Sequence, residues 1–309
     1  AHTEARGVWL IEGGIHALAR ALRKLAEQCG AEVRTGEGVA QVVCESGRVQ
    51  AVQLQNGERM AADCVVCNAD PAALATGKFG TAPTRSVAHM EPSKRSLSAY
   101  VTYAHAETSG FDLTHHNVFF SRDYAREFRE IMRGNAPSEP TVYVCAQDRP
   151  ASDEHVPARA GRERLQIIVN APSNGDTHTH TQQEIDQCTN AMTSTLARCG
   201  LSLEEGAPRR LMTPSDWERL FPATGGALYG RASHGWAASF QRQGPRTRIK
   251  GLYCAGGATH PAAGVPMAAL SGLLAAKVVR ADLASIRTSP RGAIPGGTST
   301  PSAKTGSTA

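Results

Sequence analysis

Apolar positions change their period along the chain. Ile15, Leu18, Leu22 and Leu25 recur at the spacing of one helical face, after Gly13-Gly14 and before Cys29-Gly30, which predicts a helix ending there. The short apolar runs at 8–11 and 31–35 read as flanking strands. Segments at 39–44, 49–54 and 59–62 are separated by Ser46-Gly47 and Asn56-Gly57, the pattern of a small antiparallel meander. A buried strand follows at 64–67, then a turn and a short helix after Pro71.

The middle has a different texture. Strand patterns at 97–104, 118–121, 141–146 and 165–170 are interrupted by helical ones at about 124–133 and 182–199. This predicts an antiparallel sheet with helices on one side, inserted into another unit. From Gly225 glycine becomes frequent again. A buried strand at 251–255, a Gly/Pro loop and a helix at about 267–283 close the patterned part. After Ser285 the pattern stops, and Gly, Pro, Ser and Thr make up 16 of the last 23 residues, so a disordered tail is expected.

Composition narrows the function classes. A chain of 309 residues with 41% hydrophobic and 20% charged positions can bury about two domain-sized cores. The net charge of +5 owes three bases to the acid-free tail (Arg287, Arg291 and Lys304), and the rest is too balanced for a nucleic-acid face. The longest weakly polar run, 261–276, is shorter than the about 20 residues of a spanning helix and holds Gly264, Pro266 and Gly272. The opening AHTEARG has neither a signal-peptide pattern nor a Met, so an internal piece of a longer protein is expected. Eight scattered cysteines read as reduced thiols in the cytoplasm.

Most of the chemical motifs have a plainer explanation. Gly13-Gly14 lacks the third glycine of G-x-G-x-x-G, and Glu32 precedes the end of its strand, so a simple helix start is expected. Cys64 and Cys67 are three apart on a strand, where side chains point to opposite faces, and read as structural. His115-His116 and His178/His180 have no third ligand at metal-site spacing, so no metal is expected. The 251–272 segment is richer. Its strand ends at Gly256-Gly257, and Pro266 sits in the first turn of the next helix. The free N–H groups there suit a negative or electron-rich group, and Gly264 leaves room for a planar ring. A plain glycine-rich turn before a core helix fits the same residues equally well.

GLYCAGGATHPAAGVPMAALSG resembles the C-terminal signature of carotenoid desaturases related to bacterial phytoene desaturase. FPATGGALYGRASHGWAASFQR is most similar to the 1-hydroxycarotenoid 3,4-desaturases (methoxyneurosporene dehydrogenases) of purple bacteria. GVWLIEGGIHALARALRKLAEQCGAEVRTGEGV and ADCVVCNADP match that family's middle section. The resemblance reaches to about Ser285 and is loose over 82–208.

It implies an α/β fold: a glutathione-reductase-like FAD-binding domain, incomplete at its N-terminus, with an inserted antiparallel-sheet substrate domain. The implied division is 1–80 and 225–286 for two parts of the FAD domain, 81–224 for the substrate domain and 287–309 for the tail. By the same resemblance Gly256, Gly257, Gly264, Val265, Pro266 and Met267 line the flavin. Val39 matches the strand position near the adenine, and Asn68 and Ala69 match the turn near the cofactor's middle. Two departures stand out: Pro261-Ala262-Ala263-Gly264 replaces His-Pro-Gly-x-Gly, and the family's first Gly-rich segment is absent from the sequence.

The implied activity is FAD-dependent desaturation of an acyclic 1-hydroxycarotenoid such as hydroxyneurosporene. His260 and His234 are candidate proton acceptors, and Arg231 and Trp236 candidate substrate contacts. A lipid-soluble substrate implies peripheral membrane contact. Phytoene desaturation, carotenoid isomerisation and a non-catalytic fragment are the alternatives.

Overall fold

The computed structural model describes residues 7, 9–150, 161–233 and 238–288. Helix α1 (Ile15–Gln28) leads into a meander of β1 (Val39–Glu45), β2 (Arg48–Leu54) and β3 (Arg59–Ala61), ordered β1-β2-β3 and antiparallel throughout. The β1–β2 hairpin turns at Ser46 and Gly47, both at positive φ (49° and 75°), the backbone that a two-residue hairpin requires. β4 (Val65–Cys67) then delivers the chain to α2 (Pro71–Ala75), whose N-cap Asp70 accepts the Ala72 N–H at 2.8 Å.

The next elements build a five-stranded sheet. They are β5 (Ser98–Ala106), β6 (Thr108–Gly110), β7 (His116–Phe119), α3 (Tyr124–Met132), β8 (Val142–Ala146), β9 (Glu163–Ala171), α4 (Gln182–Arg198), β10 (Leu201–Leu203), β11 (Arg209–Met212) and α5 (Pro214–Leu220). The order β11-β5-β9-β8-β7 is antiparallel throughout, and β6 pairs separately with β10. One face carries Tyr100, Val142, Val144, Leu165, Ile167 and Val169 into a core shared with Cys188, Met192 and Leu196 of α4. The capping box of Thr181 and Glu184 opens that helix. The other face meets α5, where the Trp217 Nε1–H donates to Ala99 O at 3.0 Å.

The chain then returns to the first unit. β12 (Leu252–Cys254) pairs in parallel with β4, and α6 (Val265–Thr288) follows. Val42, Val49, Cys67, Leu74, Leu252 and Cys254 form the core joining these strands to the meander.

The mixed helix-and-sheet architecture agrees with the α/β expectation, with three local corrections. The central sheet carries helices on both faces and not on one, because α5 packs through Trp217 opposite α4. Residues 9–11 and 31–35 are not strands: among the described residues neither segment joins a sheet, and Trp9 is 79% exposed. Helix α6 starts at Val265 and continues to Thr288, past the expected end. The tail expectation for 289–309 lies outside the described residues.

Candidate functional site

Parallel strands β4 and β12 end side by side, and their exits form the site. The Ala255 N–H donates to Cys67 O at 3.1 Å, and Asn68 Nδ2 donates to Ala255 O at 2.9 Å, so the two turns are stitched together. Gly256 follows with φ 122°, and a Cβ there would lie 2.5 Å from Asn68 Nδ2. Only glycine fits both the backbone and the space. Burial pushes the Cys254 thiol up to about 12, so the strand end presents neutral sulfur and no thiolate.

A buried hydroxyl pair holds the loop onto α6. Ser271 Oγ accepts the Gly256 N–H at 3.2 Å and lies 2.6 Å from Thr259 Oγ1, while Thr259 donates to Gly256 O at 2.7 Å. Ser271 is fully buried, so these bonds are shielded from water and fasten the loop to the helix. The first bond of α6 runs from the Ala268 N–H to Gly264 O at 2.8 Å. Val265 and Met267 thus have N–H groups without an intrahelical acceptor, and Pro266 has none to satisfy. Gly264, Val265 and Pro266 are exposed, and a Cβ on Gly264 (φ 102°) would meet nothing within 4 Å. Among the described residues, the helix start is therefore exposed at its positive end.

Arg242 is a member of the site that sequence reasoning missed. It is 6% exposed; its Nη1 donates to Gly257 O at 3.1 Å and its Nη2 to Tyr229 O and Arg231 O at 2.9 and 2.7 Å. Burial pulls its pKa down, against the charge of Asp70. Burial likewise pushes the Asp70 carboxyl up, opposed by the Ala72 N–H and by Arg95 and Arg242. Asp70, Arg231, Arg242 and Ala258 share a pocket of 180 Å³ beside the loop. Gly230 presses against this loop as well, since a Cβ there would lie 3.0 Å from Ala258. No local pattern marks Arg242, because its partners lie in loops.

The structure thus brings Asn68, Ala69, Gly256, Gly257, Gly264, Val265, Pro266 and Met267 together around the ends of two strands and the start of one helix. Val39 sits apart, opening β1 opposite Leu54 in the neighbouring meander. His260 is on the loop, where its N–H donates to Gln243 O at 2.9 Å. Arg231 Nη2 donates to Gln241 Oε1 at 2.7 Å. His234 and Trp236 lie outside the described residues.

One expectation about the histidines needs correction: each pair does have an unforeseen neighbour. His178 Nε2 lies 2.9 Å from Glu184 Oε1, and Cys145 packs against His115.

Residues 1–280 match the family of flavin containing amine oxidoreductases. The chain is 49% identical over 308 residues to the hydroxyneurosporene desaturase of Rubrivivax gelatinosus, covering 99% of this chain and 58% of that protein. It is 44% identical over 283 residues to the hydroxyneurosporene desaturase of Cereibacter sphaeroides, covering 91% of this chain and 56% of that one. The chain thus spans a little over half the length of these relatives. An oxidoreductase from Methanosarcina mazei shares the fold, with a TM-score of 0.52 at 17% identity over 86% of this chain and 54% of that one.

Proposed function

The chain belongs to the flavin containing amine oxidoreductase family, and from that premise we propose that it supplies the flavin loop and substrate sheet of an FAD-dependent carotenoid desaturase. The proposed substrate is an acyclic 1-hydroxycarotenoid. The 49% identity to a hydroxyneurosporene desaturase over 99% of this chain carries the reading.

The residues present fit a flavin. Space at Gly264 and the free N–H groups of Val265 and Met267 form a cradle for a ring edge that gathers negative charge. Bound FAD supplies the hydride acceptor. The chain's own task is positioning: Ser271, Thr259 and Arg242 tie down the N–H and carbonyl groups of Gly256 and Gly257, so the loop holds one shape. The polyene stabilises charge developing on its carbons, which lowers the demand for a strong base. His260 is the acceptor we assign to the departing proton, and Arg231 the contact near the substrate's hydroxyl end.

We assign 1–80 and 225–286 to one FAD domain and 81–224 to the substrate domain. Support comes from the parallel pairing of β4 with β12 across the whole intervening sheet. The exposed apolar face of α1 supports completion of the FAD domain by further polypeptide.

No helix among the described residues is long and apolar enough to cross a membrane. Peripheral contact has a candidate surface on and beside α3. There Phe120, Tyr124 and Met132 are 62%, 52% and 77% exposed, and Arg122, Arg126 and Arg129 nearby are paired with Glu139, Glu130 and Asp123.

The test is an incubation of the full-length protein with hydroxyneurosporene and, separately, with phytoene, followed by absorption spectra. Lengthening of the hydroxyneurosporene chromophore is expected. Turnover of phytoene alone would overturn the substrate assignment.

A further inference from the structure

At the outer edge of the five-stranded sheet, far in sequence from the flavin loop, three soft ligands converge. Among the described residues, ligand atoms of His115, His116 and Cys145 all lie within 4.8 Å of one another. Strand register creates the group. His116 stands directly opposite Cys145 across the β7–β8 pair, and the Ala146 N–H donates to His115 O at 2.9 Å. His115–Ala146 is therefore a hydrogen-bonded pair and His116–Cys145 the adjacent, closer one, whose side chains share a face.

Two further observations fit this group to a cation. His115 Nδ1 lies 2.7 Å from the backbone carbonyl of Arg149, an acceptor only, so Nδ1 carries the proton and Nε2 keeps its lone pair. A histidine ligand is oriented in just this way, by a carbonyl on its other nitrogen. That carbonyl is itself anchored, because Arg149 Nη2 and Nε donate to buried Glu163 at 2.7 and 2.8 Å. The free Nε2 faces Cys145 Sγ at 3.6 Å. Nitrogen and sulfur bonded to one tetrahedral zinc at about 2.1 and 2.3 Å stand about 3.6 Å apart, so these two atoms already have the spacing of co-ligands. His116 is exposed and provides the side from which an ion enters. The Tyr143 hydroxyl lies 2.7 Å from its Nδ1, which leaves Nε2 as the nitrogen for the ion.

We propose that His115, His116 and Cys145 bind a zinc-class divalent cation, with water in the fourth position. Thiolate and imidazole ligands without a carboxylate select zinc over magnesium or calcium. Binding displaces the Cys145 thiol proton to solvent and forms one metal–sulfur bond, so about one proton is released per ion at neutral pH. The ion would clasp edge strand β7 to β8.

The experiment titrates the full chain, reduced and stripped with chelator, with Co2+ and then Zn2+. One Co2+ per chain is expected, with a thiolate-to-cobalt absorption band and the visible bands of a four-coordinate ion, both erased by Zn2+. Cys145→Ser should abolish the thiolate band. His116→Ala, an exposed change that leaves folding intact by circular dichroism, should weaken binding by more than the about 10–100-fold that loss of a supporting partner costs. Tyr143→Phe should fall inside that range, and Cys29→Ser should change nothing. Absence of stoichiometric binding by the folded chain would overturn the proposal. So would binding that survives both Cys145→Ser and His116→Ala, for instance at His178, His180 and Glu184.

Discussion

Helix α1 carries the more regular apolar stripe of α1 and α4, yet the two meet opposite fates. α4 buries Cys188, Met192, Thr195 and Leu196, the last at 0% exposure. α1 buries nothing and leaves Ile15, Leu22 and Leu25 at 59%, 57% and 56%. Polar groups divide the same way. The sheet unit satisfies its buried charges internally, as in Arg149–Glu163, where the side chains are 6% and 1% exposed, and at Glu127, which accepts from the Ser121 hydroxyl, the Thr141 N–H and Asn170. The loop unit keeps the first turn of α6 open at Gly264. The sheet is stabilised by its own contacts, while the loop unit leaves the apolar face of α1 and the start of α6 exposed. The proposed flavin site lies on this less finished half.

The largest expected effect tests the self-contained half. Glu163→Ala strands the Arg149 guanidinium in the interior and should cost about 3–5 kcal/mol in urea unfolding. A cost near zero would mean that water already reaches this pair. Next, the two helices can be set against each other. Leu196→Ala should cost about 2–5 kcal/mol and Leu22→Ala no more than about 0.5 kcal/mol. Equal costs would end the contrast between α1 and α4. In the loop unit, Gly256→Ala forces a Cβ against Asn68 and should cost about 1–3 kcal/mol, read as a lower melting temperature.

The smallest effect is on pH. Burial pushes the Glu163 carboxyl up, but its hydrogen bonds to Arg149 and Thr108 and the Arg149 charge outweigh that and hold it below the usual range. Its contribution is therefore complete above the unfolded value of about 4.3 and fades as pH falls through the lower folded value. Glu163→Gln should flatten the acid limb of a stability–pH curve, and an unchanged limb would place the acid sensitivity elsewhere.

Local patterns made much of the molecule legible. The meander, α3, α4 and the strand–loop–helix around Gly256 and Pro266 each lie in one continuous stretch, so their periods and turn residues declare them. Pairings over long separations did not show. β6 and β10 are three residues each and find one another across the whole sheet, with Leu201 opposite Gly110. Arg242 reaches carbonyls in two separate loops, and Cys145 meets His115 only through strand register. The strand expected at 31–35 failed for the reason that α1 stays bare: a correct apolar pattern needs a partner surface.

The central claim is that the open helix start at Gly264 holds the flavin. The direct measurement is the flavin-to-protein ratio of the full-length protein, compared with its Gly264→Asp and Gly264→Asn variants. Among the described residues a Cβ at 264 meets no heavy atom within 4 Å, so steric loss at this position points to whatever occupies that space in the full-length protein. The account predicts near-stoichiometric flavin in the parent, loss in Gly264→Asp, where a carboxylate adds repulsion, and a marked drop in Gly264→Asn. Asn tolerates positive φ, so full flavin in Gly264→Asn alone would reduce position 264 to a turn requirement. Full flavin in Gly264→Asp would contradict the assignment.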